Sequence, residues 1–200
     1  MTVATEAQIS AFLKVMDPAD DSTGGGTASA VAGAMGAGLA GMVARVSRGK
    51  PDMEPDEFYE EIDARARKLQ RELMAGAERD SVAFEAVMRA YRSPKETDAQ
   101  KAARSEAIQD AMEGATEVPL LNAERCVEVL ELIVRLTPRH NVNASSDLDV
   151  GRRLAGAALE GCIDNVEINL GSLKREAARD AYTRRLAELR TAVPETPEGD

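Results

Sequence analysis

The sequence predicts an all-α fold, a multihelical bundle of long antiparallel helices. Three observations carry that expectation. No stretch alternates apolar and polar residues with the period of two that a half-buried strand requires. Apolar and small residues instead recur at steps of three and four through long proline-free stretches, of which Asp56 to Tyr91 is the clearest. The third is the run STGGGTASAVAGAMGAGLAGMVARV, Ser22 to Val46, in which Gly33, Gly36, Gly38 and Gly41 lie among seven alanines between Thr27 and Ala44. Each glycine in a helix interior costs roughly 1 kcal/mol relative to alanine, so other helices must pack closely enough on this one to offset it.

Taken in order, Thr5 to Val15 carries Ile9, Phe12 and Leu13 at helical spacing and predicts a short amphipathic helix that covers the core, followed by a turn over Asp17 to Thr23. Gly24, Gly25 and Gly26 free the backbone for turn geometry and strip its surface, so a ligand or another backbone can come close. The small-residue helix after them is read as the central one. Its uncharged run has membrane-spanning length, but it holds almost no Leu, Ile or Phe and the rest of the chain is highly charged, so no membrane partner is expected. Gly49, Pro51 and Pro55 mark a loop before the long helix of Asp56 to Tyr91. Its seam runs Ile62, Ala66, Leu69, Leu73, Gly76, Asp80, Ala83, Val87 and Ala90. Ser93 and Pro94 end it, and Thr97 opens a helix with a charged outer face through Glu117. Pro119 is read as a kink or restart, after which Leu120, Val127, Leu130, Ile133, Val134 and Leu136 continue an apolar face to the stop at Pro138. A polar loop, Arg139 to Ser146, leads into a helix from Asp147 to about Leu170; Gly171 and Ser172 break it, and a charged last helix ends near Ala192. Residues 1–192 are read as a single helical domain and 193–200 as a disordered tail.

Composition narrows the function classes. With 35 acidic against 25 basic side chains the net charge is -10, and phosphate repulsion makes nucleic acid a poor partner. Cys126 and Cys162 lie in apolar helical surroundings, and no charged-then-apolar leader opens the sequence, which together suggest reduced thiols and a cytoplasmic location. One histidine, His140, with no CxxC or HxxxH spacing, leaves no protein-built zinc site. Metal-free chemistry is expected.

The segments GGGTASAVAGAMGAGLAGMVARV, DSVAFEAVMRAYRSPKETDAQKAAR, ATEVPL, HNVNASSD and NVEIN, in that order, resemble the cyclodeaminase/cyclohydrolase family of folate enzymes. The resemblance spans Ile9 to Leu189 and is closest, along Asp80 to Leu120, to the family's short stand-alone methenyltetrahydrofolate cyclohydrolases. It implies an all-α homodimer that needs no metal or other cofactor and takes a tetrahydrofolate derivative as substrate. The reaction implied is hydrolysis of methenyltetrahydrofolate to formyltetrahydrofolate in one-carbon metabolism. The alternatives are a formiminotetrahydrofolate cyclodeaminase, which releases ammonia, and a folate-binding helical dimer without activity. The sequence leaves no residues for the transferase domain of the two-domain members, which favours water as nucleophile. Two positions depart from the family pattern: Thr23 stands where Pro is usual, and His140 where Gly is usual.

Asp80 is the sharpest candidate, because an ionised carboxylate in an apolar seam is costly unless paired or used. Either it pairs with an arginine of another helix, or it is a catalytic carboxylate that holds an amidinium or activates water; the resemblance, through Asp80, Ala83 and Phe84, supports the second. Asp147 at a helix start is favoured there by free amides, while the resemblance, through Asn141, Ser146 and Asp147, implies a place at the ligand cavity and a catalytic role. Asn165 and Asn169 lie one turn apart with Gly161 a turn earlier, and read either as interhelical hydrogen-bonding residues or as substrate ligands. Eighteen residues of helix separate Asp147 from Asn165 by roughly 27 Å, so the two cannot serve one small reacting centre: either they serve different parts of an extended folate, or one belongs to a partner subunit's site, or one is structural. Gly24, Gly25 and Gly26 at a helix N-terminus, with Lys95 in the SPK loop, are candidate ligands for the folate carboxylates. His140 is a weaker candidate for a general base, on the grounds of its residue type alone.

Overall fold

The computed structural model describes residues 6–194, and the helices come in the expected order. They are α1 (Glu6–Met16), α2 (Gly25–Ser47), α3 (Asp56–Tyr91), α4 (Asp98–Leu136), α5 (Ser145–Leu170) and α6 (Glu176–Ala192), with two short 3-10 turns, Thr137–Arg139 and Val142–Ala144, between α4 and α5. Among the described residues there is no strand. Most of the expected tail, 195–200, lies outside the described residues.

Helices α2, α3, α4 and α5 form the bundle, and their contacts fix its directions. A Cβ on Gly41 would meet Asp63 and Ala66, one on Gly33 would meet Leu73, and one on Gly26 would meet Asp80, so α2 and α3 run antiparallel. Gly36 lies against Gly151 and Ala155, and Gly33 against Ala158, so α5 is antiparallel to α2 as well. Gly33 also touches Cys126 of α4. The small-residue helix is thus clamped by three others, as its composition required. A Cβ on Gly36 would stand 2.9 Å from the Gly151 carbonyl oxygen, closer than real side chains come. Here close backbone approach offsets what the glycine costs in helix propensity. By length and composition α2 could cross a membrane, yet 61% of its most apolar window is buried in the bundle.

Tyr59, Ile62, Leu69 and Leu73 of α3 meet Leu120, Ile133 and Leu136 of α4 in the core, all fully buried. Burying each such side chain contributes on the order of 1.5–3 kcal/mol. Thr97 caps α4 in a reciprocal capping box with Gln100. Arg175 and Arg185 tie the α6 region to α4 through Glu113, Asp110, Glu117 and Glu124.

Two local expectations are corrected. Pro119 neither kinks nor restarts a helix: α4 is one continuous helix of 39 residues with the proline buried inside it. Nor do the three glycines form a turn. Gly24 is extended at φ -149, ψ -157, and Gly25 and Gly26 already belong to the first turn of α2. Of the three, only Gly26 is packed so closely by other residues of the chain that a side chain would collide with them.

Candidate active site

The antiparallel pairing brings the N-terminus of α2 beside the C-terminal halves of α3 and α5. A cavity of about 490 Å³ opens there, lined by Ser22 to Thr27, by Asp80, Phe84 and Val87 of α3, by Met112 and Ala115 of α4, and by Asp164, Asn165, Ile168 and Asn169 of α5. The wall carries two carboxylates and no Lys, Arg or His among the described residues.

Asp80 forms no ion pair among the described residues, so the arginine reading fails. Its Oδ2 accepts a hydrogen bond from Thr27 Oγ1 at 2.7 Å, and Thr27 itself is fully buried. Burial pushes the Asp80 carboxyl above the usual carboxylate range, while the Thr27 hydroxyl and backbone N–H hold it down. A carboxylate of α3 thereby caps the first turn of α2.

Asn165 faces Asp80 across Gly26. A Cβ added at Gly26 would collide with Asn165 Nδ2 and lie 2.6 and 2.9 Å from the two Asp80 oxygens, so donor and acceptor converge on the space that the glycine leaves empty. The orientation of Asn165 comes from its neighbour one turn on. Asn169 Nδ2 donates to Asn165 Oδ1 at 3.0 Å and to the Ala115 carbonyl at 2.7 Å.

The remaining sequence candidates are not brought into this cavity. Asn141 is spent at the far end of α2: its N–H donates to Ser47 Oγ at 2.8 Å, its Nδ2 to the Val46 carbonyl at 3.1 Å, and its Oδ1 accepts from Asn143 N–H. Asp147 is half-buried in the first turn of α5, also at that far end, a helix length of roughly 27 Å from Asn165. His140 packs into the same loop, with Nδ1 at 2.7 Å from the Thr137 carbonyl and Nε2 at 2.8 Å from Ser145 Oγ. Lys95 is exposed in the α3–α4 connection, at the cavity's end of the bundle but outside its lining. Cys126 and Cys162 are buried below the cavity. Its hydrogen bond with Cys126 and its burial push the Cys162 thiol up, which keeps it from acting as a nucleophile.

The family model described as formiminotransferase-cyclodeaminase matches residues 8–188. The chain belongs to this family. Among formiminotransferase-cyclodeaminase relatives, a protein of Methylorubrum extorquens named methenyltetrahydrofolate cyclohydrolase is 36% identical over 188 residues, 94% of this chain and 90% of that one. A formimidoyltransferase-cyclodeaminase of Gallus gallus is 30% identical over 90% of this chain, which spans only 34% of its length. The crystal structure of formiminotetrahydrofolate cyclodeaminase from Thermotoga maritima superposes with a TM-score of 0.79 at 27% identity, covering 91% of this chain and 87% of that one.

Among the residues that line this cavity, Thr27, Asp164 and Ala115 were not singled out from the sequence. Thr27 is a buried hydroxyl directly after the glycines, and a polar residue at the first turn of an apolar helix was the available signal. Asp164 stands one turn from Gly161, the small residue that marked this part of α5. Nothing local marked Ala115, whose contribution is a backbone carbonyl.

Proposed function

We propose that the chain is a methenyltetrahydrofolate cyclohydrolase, an enzyme of folate one-carbon metabolism. The observation that carries this reading is the convergence of Asp80 and the Asn165 carboxamide on one point of an otherwise largely apolar, acidic-walled cavity. The full-length similarity to a protein named for that activity supports it.

The substrate is a cationic amidinium; Asp80, half-buried in the cavity wall, and Asp164, exposed at its edge, both favour its positive charge. Asp80 takes a proton as water adds to the amidinium carbon, giving a neutral tetrahedral adduct. Asp80 then returns the proton to the ring nitrogen whose bond to that carbon breaks, while the adduct hydroxyl loses its own proton and becomes the formyl oxygen. The balance is one cation and one water in, formyltetrahydrofolate and one proton out. Asn165 Nδ2 is placed to donate to the oxygen as it develops. Gly24 and Gly25 line the cavity beside Gly26 and leave room for the substrate, and no residue in this scheme requires a metal.

We further propose a homodimer. Gly38 has nothing within 4 Å of where its side chain would be, and it is exposed beside Met35, itself 52% exposed. Within one chain nothing offsets the roughly 1 kcal/mol that such a helical glycine costs. A second copy packed on α2 would. The acidic net charge argues against nucleic acid and anionic membrane surfaces as partners, and a cytoplasmic location is part of the same reading.

A second reading, cyclodeamination of formiminotetrahydrofolate, is favoured by the Thermotoga maritima likeness. Purified protein given each substrate separately decides. Methenyl absorbance is expected to fall faster than in buffer; comparable or faster ammonia release from the formimino substrate would select the second reading. Tight binding with neither change would leave a folate-binding dimer.

A further inference from the structure

Pro119 sits inside α4, where its missing N–H and its ring deny the carbonyl of residue 115 its helical partner and push that carbonyl aside. Ala115 is four residues earlier, and its oxygen is the one that Asn169 Nδ2 reaches at 2.7 Å. A carbonyl denied its helical donor needs another partner, and at this half-buried position Asn169 supplies one. Asn169 has one side-chain amide nitrogen, and it also donates to Asn165 Oδ1. With its oxygen thus occupied, Asn165 can present only Nδ2 to the space beside Gly26 and Asp80.

We propose that Pro119 and Asn169 are positioning residues: the carbonyl that the proline frees on α4 aims Asn169, and Asn169 fixes the Asn165 carboxamide with its donor toward Asp80. This rests on the reading of the cavity as the active site. It reassigns Asn169 from touching substrate to acting through Asn165, and it makes a helix-interior proline, which costs about 3 kcal/mol of helix propensity, part of the site.

The signature is opposite movement of stability and turnover. Pro119→Ala restores an N–H that competes for the Ala115 carbonyl; its melting temperature is expected to hold or rise, while kcat falls roughly tenfold with KM changed less, as for a misplaced donor. Asn169→Asp is the second variant, and it folds independently of any proline effect. An acceptor at 169 would draw Asn165 Nδ2 away from Asp80, so its kcat is expected to fall below that of Asn169→Ala, which merely lets Asn165 turn. Side-chain amide NMR supplies a readout independent of activity. In the parent protein the Asn165 and Asn169 NH2 groups are expected to exchange slowly with solvent, and Pro119→Ala to speed that exchange. Slow exchange lost in the variant, in a protein without cyclohydrolase activity, would uphold the relay and remove the functional reading. Parent-like kcat in both Pro119→Ala and Asn169→Asp, or fast amide exchange in the parent, would overturn the relay.

Discussion

Thr27 and Asp80 lie 53 positions apart, and their 2.7 Å hydrogen bond joins the first turn of α2 to the C-terminal half of α3 in the wall of the cavity. The bond holds the carboxylate in one orientation while burial resists its charge. The first expectation concerns that charge. Asp80→Asn keeps an oxygen for Thr27 and removes the buried anion, so its melting temperature should hold or rise while kcat falls by about 10² or more, in the range for loss of a general base. Circular dichroism melts and methenyl absorbance decay measure both, and a variant with parent-like kcat would remove Asp80 from the mechanism.

Stability should depend on pH through the same group. The folded carboxyl holds its proton more tightly than the unfolded one, so Asp80 supports the folded state most fully below the ordinary value of 3.8 and loses that support as pH rises through the raised folded value. The difference in unfolding free energy between Asp80→Asn and the parent should therefore grow in favour of the variant across that window and then level off. The acidic limb of kcat/KM should likewise lie above the range of an exposed carboxylate. A difference that stays flat with pH would contradict the raised value.

Two glycine substitutions should separate site from scaffold. In Gly26→Ala the new methyl meets the mobile ends of Asn165 and Asp80, which can move, so the fold should survive with kcat reduced more than tenfold. In Gly36→Ala it meets the Gly151 carbonyl and Ala155, so two helices must part at a cost of about 1–3 kcal/mol. Equal melting temperatures for the two variants would refute the distinction.

Asp147→Asn is expected to leave kcat within about threefold of the parent, since the residue stands a helix length, roughly 27 Å, from Asn165. A larger loss, recovered when the variant is mixed with Asp80→Asn so that hybrid dimers form, would instead put Asp147 in the site of a partner copy.

Light scattering at micromolar concentration should give twice the chain mass, and Gly38→Glu should give the chain mass with an unchanged helical spectrum. A parent protein already monomeric would refute the proposed dimer.

The helices were legible because period and punctuation agree: the bounds of α3 fall where the proline-free seam begins and ends. Pro119 misled because a proline signals a break only if the carbonyl it strands has nowhere to go, and here the side chain of Asn169, fifty residues on, receives it. The gathering of Gly26, Asp80, Asn165 and Asn169 on one cavity follows from antiparallel pairing of long helices. The placement of Asn141 and Asp147 at the opposite end follows from the same pairing, and a motif read along the chain carries no such directional information. Ala115 was invisible because its role depends on what faces it.

The acidic, cation-free lining of the cavity bears on the order of events in a catalytic cycle. On the proposed mechanism an amidinium is drawn toward Asp80 and Asp164 by charge, and a pairing at about 4 Å is worth roughly 1 kcal/mol in water and about 4 kcal/mol near a protein surface. Once water has added and a proton has departed, the ligand's charge is gone and so is that grip. Affinity is therefore consumed by the reaction itself: the enzyme lets go because it has finished, and accumulating product competes poorly with the next substrate.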